Sequence, residues 1–130
     1  MEIQVTNRGI DYEGVSVTTG AELAIKFGEG KPADDKTMNP VELLGASLCM
    51  CIAAMLRKFL GTHNLQSDQI DVAMTGDWEP GDPKCENIKI TVEVAGDWDE
   101  QRKSAFLKVA ETCPVHHTMA NCDNLEMTVV

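Results

Sequence analysis

The sequence predicts an α+β fold in a single domain covering residues 1–130. Three observations carry this. One long segment has the signature of a helix that is apolar on nearly every side. Short runs of apolar/polar alternation stand on both sides of it. The length, 130 residues, suits one core that can bury about two-thirds of the unfolded surface, so no metal or disulfide staple is required.

The first strands are read from alternation. Ile3 and Val5 form the first set, Val15 and Val17 the second, and Leu23, Ile25 and Phe27 the third. Asn7-Arg8-Gly9 and Thr19-Gly20 supply turn chemistry between them. Residues 28–38 are polar and carry Gly and Pro, which marks a loop. Asn39 is a good N-cap, Pro40 suits the first helical position, and Glu42 completes a capping box. Leu43, Leu44, Ala46, Leu48, Ile52, Met55, Leu56, Phe59 and Leu60 then make a helix from Asn39 to Leu60 that Gly61 can close. With apolar residues on nearly all sides, this helix should be central and buried.

Ile70, Val72 and Met74 alternate in the next strand. Ile88, Ile90, Val92 and Val94 alternate in the one after, with a turn from Trp78 to Glu86 between them. Asp97 or Asp99 can start a second helix bearing Trp98, Ala105, Phe106, Val109 and Ala110. It must break near Cys113-Pro114, because proline disfavours helical geometry in the residue before it. A short helix can restart there, and Leu125, Met127 and Val129 suggest a last strand. The order is β-β-β-α-β-β-α-α-β, which an antiparallel sheet wrapped around a buried helix would satisfy.

The formal net charge of −10 argues against nucleic acid, which requires a basic patch. The N-terminus lacks the basic start and apolar run of a signal peptide. The stretch around Leu43 to Leu60, with Glu42, Arg57 and Lys58 at or near its ends, reads as a buried helix and not as a membrane span. A cytoplasmic setting is therefore expected. There, five cysteines should be thiols, and a pair that oxidises is more often catalytic than structural.

The cysteines are Cys49, Cys51, Cys85, Cys113 and Cys122, with no Cys-x-x-Cys among them. Cys49 and Cys51 on one helix point roughly 200° apart, so they cannot share a tetrahedral metal. Cys113, His116, His117 and Cys122 are zinc-ligand types, but their spacing matches no familiar zinc module. Cys113 sits where a helix should restart, and free amides and the helix dipole there favour a thiolate. It can equally be a small capping or core residue. Cys51, near the middle of the buried helix, has no local activation and reads as a small buried hydrophobe. To ionise it would need a cation. Arg57 faces away on the same helix, and Arg8, in a turn, is the freer candidate.

Two motifs together resemble the OsmC/Ohr family. Asn39-Pro40-Val41-Glu42-Leu43-Leu44-Gly45-Ala46, with Cys51 about three turns further on, is similar to its central-helix motif. Cys113-Pro114-Val115-His116-His117-Thr118-Met119 is similar to its second motif. The resemblance covers nearly the whole chain. It implies an intertwined homodimer with residues of both subunits around each site. It also implies a two-cysteine peroxidase in which Cys51 attacks an organic hydroperoxide and Cys113 resolves the sulfenic acid as a disulfide.

Peroxidase members of that family carry a glutamate directly after the first motif's proline, paired with an N-terminal arginine. Here that position is Val41, with Glu42 one step on, and Arg8 resembles the family arginine in its place after the first strand. The expected function is reduction of organic hydroperoxides in oxidative-stress defence, with Cys51, Cys113, Arg8 and Glu42 at the site. An apolar pocket formed by residues such as Leu48, Met55 and Met119 and an external dithiol reductant complete it. No metal, flavin or haem is implied, nor a nucleic-acid or membrane partner. The alternative is an OsmC-like protein that holds a lipid or other small ligand in the same pocket without turnover, which Val41 in place of the acid supports.

Overall fold

The computed structural model of the chain describes residues 1–9, 11–28, 31–32, 37–123 and 125–130. They gather into two compact units. The first combines Met1–Leu43 with Trp78–Lys84, and the second combines Leu44–Asp77 with Cys85–Val130.

The first unit is an antiparallel sheet in the order β1 (Ile3–Arg8), β2 (Asp11–Ser16), β3 (Glu22–Gly28) and β4 (Lys31–Pro32). β4 lies inside the segment read from sequence as a loop. Of that segment, residues 29–30 and 33–36 lie outside the described residues. Gly9 and Gly20 take φ of 69° and 74° where the chain reverses, a conformation glycine adopts at little cost. The register puts Val5 opposite Gly14 and Gly14 opposite Leu23, so these share one face with Ile3. Ile3, Val5 and Leu23 are each more than half exposed, which leaves that apolar face bare in the single chain.

Helix α1 (Pro40–Thr62) starts at the capping box. The Glu42 amide donates to Asn39 Oδ1 at 2.9 Å, and the Asn39 amide donates to Glu42 Oε2 at 2.7 Å. The helix passes Gly61 and closes on Asn64, whose φ is 52°. The Leu65 amide reaches the Leu60 carbonyl at 2.9 Å and the Asn64 amide reaches that of Gly61 at 3.3 Å, the two bonds of a Schellman end.

Four residues per step along α1, Leu48, Ile52, Leu56 and Leu60 form a fully buried row. Burying each contributes about 1.5–3 kcal/mol. They meet Val94, Phe106, Ala110 and Cys113 in the core of the second unit. By length and composition α1 is apolar enough to cross a bilayer, yet this row packs inside the protein. The expectation of a helix covered all round is met along that row and at Gly45, while Leu44 and Met50 remain half exposed or more.

The hairpin of β5 (Ile70–Asp77) and β6 (Glu86–Val94) pairs Ile70 with Val94, Val72 with Val92 and Met74 with Ile90, putting both alternating sets on one face. Helix α2 (Glu100–Glu111) is capped by Asp99, whose Oδ1 accepts the Arg102 amide at 2.7 Å. Trp98 donates Nε1–H to the Val94 carbonyl at 3.0 Å and meets Phe106 edge-on. Helix α3 (Pro114–Ala120) follows directly.

The last strand expected from Leu125, Met127 and Val129 is absent among the described residues. These side chains are largely exposed, and the segment has no regular structure. Alternation makes a strand only where a sheet edge pairs with it, and no described strand pairs here.

Candidate functional site

Pro114 determines the local geometry around Cys113. The residue before a proline is held extended, and Cys113 has φ −58° and ψ 127°. It thereby becomes the N-cap of α3. Its amide donates to the Ala110 carbonyl at 3.2 Å, and its carbonyl accepts from His117 at 3.0 Å. The backbone is thus tied to both helices. The side chain is fully buried, with 0% exposure.

Cys51 lies on α1 immediately before the buried Ile52. It is half-buried and packs against the same core. It and Cys113 are neighbours in this core, close enough for the Cys51 thiol to act on that of Cys113. All five cysteines are free thiols.

Burial pushes the Cys113 thiol above its ordinary titration range. The nearby Cys51 thiol pushes it the same way. The amides of His116 and Val115 pull it down. Those amides approach the sulfur without closing a capping hydrogen bond, and burial outweighs them. Burial therefore works against the thiolate that the helix N-terminus favours at Cys113. Cys49, two positions from Cys51, is also raised by burial.

The other sequence-derived candidates are engaged elsewhere. Glu42 is the reciprocal partner of Asn39 in the capping box. Arg8 meets Glu13 at 3.3 Å, with both side chains largely exposed. Arg8 and Glu42 belong to the first unit and the thiol pair to the second. Arg57 donates to the Ser67 carbonyl at 2.6 Å. Of the expected pocket residues, Leu48 is buried in the core, while Met55 and Met119 are half-buried against it. Among the described residues no three His, Cys, Asp or Glu side chains gather as a metal-ligand set, so the zinc reading of Cys113, His116, His117 and Cys122 has no geometric support.

A cleft of about 450 Å³ between β6 and α2 is not among the sites expected from sequence. It is walled by Ile90, Val92, Val94, Trp98, Phe106 and Leu107, and it contains neither thiol of the pair. Its only signal was Trp98 standing just ahead of a helix start.

The family model described as OsmC-like protein matches residues 33–128, a span that includes both cysteine motifs. The chain belongs to the OsmC-like protein family. Solved structures share the OsmC-like fold at low identity. One is a Psychrobacter arcticus protein described by osmotic stress and detoxification response, with 16% identity, TM-score 0.72, and coverage of 89% of this chain and 85% of that one. Another is an OsmC-like protein of Mycoplasma pneumoniae, with 16% identity, TM-score 0.68 and coverage of 92% and 86%. A third is the organic hydroperoxide resistance protein OhrB of Bacillus subtilis, with 19% identity, TM-score 0.57 and coverage of 92% and 90%. At these identities the likeness concerns the fold. No curated protein matches the sequence.

Proposed function

We propose that this OsmC-like protein is a thiol-dependent peroxidase that reduces organic hydroperoxides in oxidative-stress defence, through Cys51 and Cys113. The observation that carries the reading is that the two cysteines, one from α1 and one at the N-cap of α3, are neighbours in one core. The Cys51 thiolate attacks the distal oxygen of the hydroperoxide. The O–O bond breaks, the alkoxide takes a proton and leaves as an alcohol, and Cys51 becomes a sulfenic acid. Cys113 then attacks the Cys51 sulfur, water leaves, and a disulfide forms. An external dithiol restores the two thiols. Membership of a family that includes proteins named for hydroperoxide resistance supports the reaction class.

Arg8 is the proposed cation. Its exposed pair with Glu13 is worth about 0–1 kcal/mol, too little to hold it from a thiolate. The proposed assembly is a homodimer of single-domain chains in the cytoplasm. The bare apolar face of Ile3, Val5 and Leu23 and the exposed Leu44 and Met50 of α1 form surface that a soluble monomer rarely leaves open. The family match runs through both compact units, which supports one domain.

The test is consumption of cumene and t-butyl hydroperoxide with a dithiol reductant. Cys51→Ser should abolish it. Cys113→Ser should complete one turnover and leave a sulfenic acid that dimedone traps. A second reading is favoured by Val41 and by the capping role of Glu42: the protein binds a lipid or other small apolar ligand without turnover. No peroxide consumption by wild type with all thiols reduced would select it.

A further inference from the structure

We propose that the outer edge of β6 and the cleft beside it form a seat for one extended segment, and that its occupant is residues 125–129 of a second copy of this chain. The backbone register defines the edge. The Ala95 amide donates to the Gln69 carbonyl at 2.9 Å, so these two are a hydrogen-bonded pair of the hairpin. Such pairs alternate along an antiparallel ladder, which makes Glu93–Asp71 and Thr91–Ala73 hydrogen-bonded as well. Ile90, Val92 and Val94 fall in the pairs between, so their amides and carbonyls point away from β5. Trp98 reports that direction, because its Nε1–H reaches the Val94 carbonyl at 3.0 Å. Among the described residues β6 has no strand on this side, and no further backbone hydrogen bond meets the outward groups of Ile90 and Val92.

The same three residues wall the cleft together with Trp98, Phe106 and Leu107. An edge of open donors and acceptors beside an apolar cleft suits a strand with an apolar side chain at every second position. Its main chain pairs with β6 while alternate side chains enter the cleft. Leu125, Met127 and Val129 have that spacing. In their own chain they lie outside any strand, 70%, 86% and 94% exposed. One chain therefore leaves both an acceptor edge and a donor segment open. Two copies close both by exchanging segments about a twofold axis, a low-cost route to a dimer. Glu126 and Thr128 then face away from the cleft, on the side of the exposed Thr91 and Glu93. The exchange rests on the proposed homodimer but on none of its thiol chemistry.

The experiment uses the reduced full-length chain with photoreactive benzoylphenylalanine in place of Met127. One batch carries natural isotopes and one carries heavy nitrogen; they are unfolded, mixed in equal amounts and refolded together. After irradiation and digestion, peptide mass spectrometry should find links from position 127 to β6 or α2, and about half of them should join one isotope to the other, as random pairing of two copies requires. Hydrogen exchange on wild type covers the case in which the probe is too bulky for the cleft. The amides of Ile90 and Val92 should be protected, and both dilution to monomer and Met127→Asp should speed their exchange about tenfold or more. Links of uniform isotope, or protection that survives dilution to monomer, place the chain's own segment in the seat and overturn the proposal. So do links to other parts of the molecule, or an exchange rate that Met127→Asp leaves unchanged. A dimer whose edge amides are unprotected overturns the exchange and leaves the homodimer standing, whereas a monomer at all concentrations removes both.

Discussion

Oxidising the Cys51–Cys113 pair should make the fold measurably more stable. The two cysteines are neighbours in one core, and a bridge between them closes a loop of about 60 residues. In the chain-entropy description a loop of that length removes about 4 kcal/mol of freedom from the unfolded chain. Residual strain in the native state reduces this, leaving about 2–4 kcal/mol. For a chain of this size each kcal/mol moves the melting midpoint by roughly 4 °C, so a rise of about 8–16 °C is expected. The assay is thermal and urea unfolding of the dithiol and disulfide forms, with a non-reducing peptide map to identify the bridge. Cys51→Ser should erase the difference. A mapped Cys51–Cys113 bridge with an unchanged midpoint would refute the loop-entropy reasoning, and a bridge between other cysteines would refute the adjacency.

Three further outcomes follow from the packing. Because the folded state holds the Cys113 thiol above its ordinary range, its contribution is complete below about pH 8.5. As pH rises beyond that, the unfolded chain loses its proton first and stability falls; urea unfolding between pH 7.5 and pH 10 should show a steeper decline for wild type than for Cys113→Ser. Gly96→Ala should destabilise by about 1–3 kcal/mol, since Gly96 has φ 140° and an added Cβ would stand 2.8 Å from Trp98 Nε1; an unchanged urea midpoint would show that the Trp98 ring yields freely. Leu56→Ala, at a position with 0% exposure, should lower stability by about 2–5 kcal/mol, read from the same unfolding curves.

What the sequence determined by itself is what local chemistry controls. The start of α1 was legible because Asn39, Pro40 and Glu42 satisfy their own backbone groups within one turn. The break at Cys113-Pro114 was legible because proline restricts the residue before it whatever surrounds it. The two strands of the hairpin were legible because both carry the period of two on the face that is buried. The OsmC-like fold was expected from a family resemblance that two motifs of the chain carry.

The tertiary structure decided the rest. Gly61 does not end α1, because the Schellman pattern closes on Asn64 and keeps Leu60 and Leu65 together. The alternation of Leu125, Met127 and Val129 forms no strand among the described residues, because a strand requires an edge to pair with and no local pattern provides one. Only packing brings Cys51 and Cys113 together from distant parts of the chain. Only burial raises the Cys113 thiol, since desolvation of a fully enclosed sulfur outweighs the amides that α3 turns towards it.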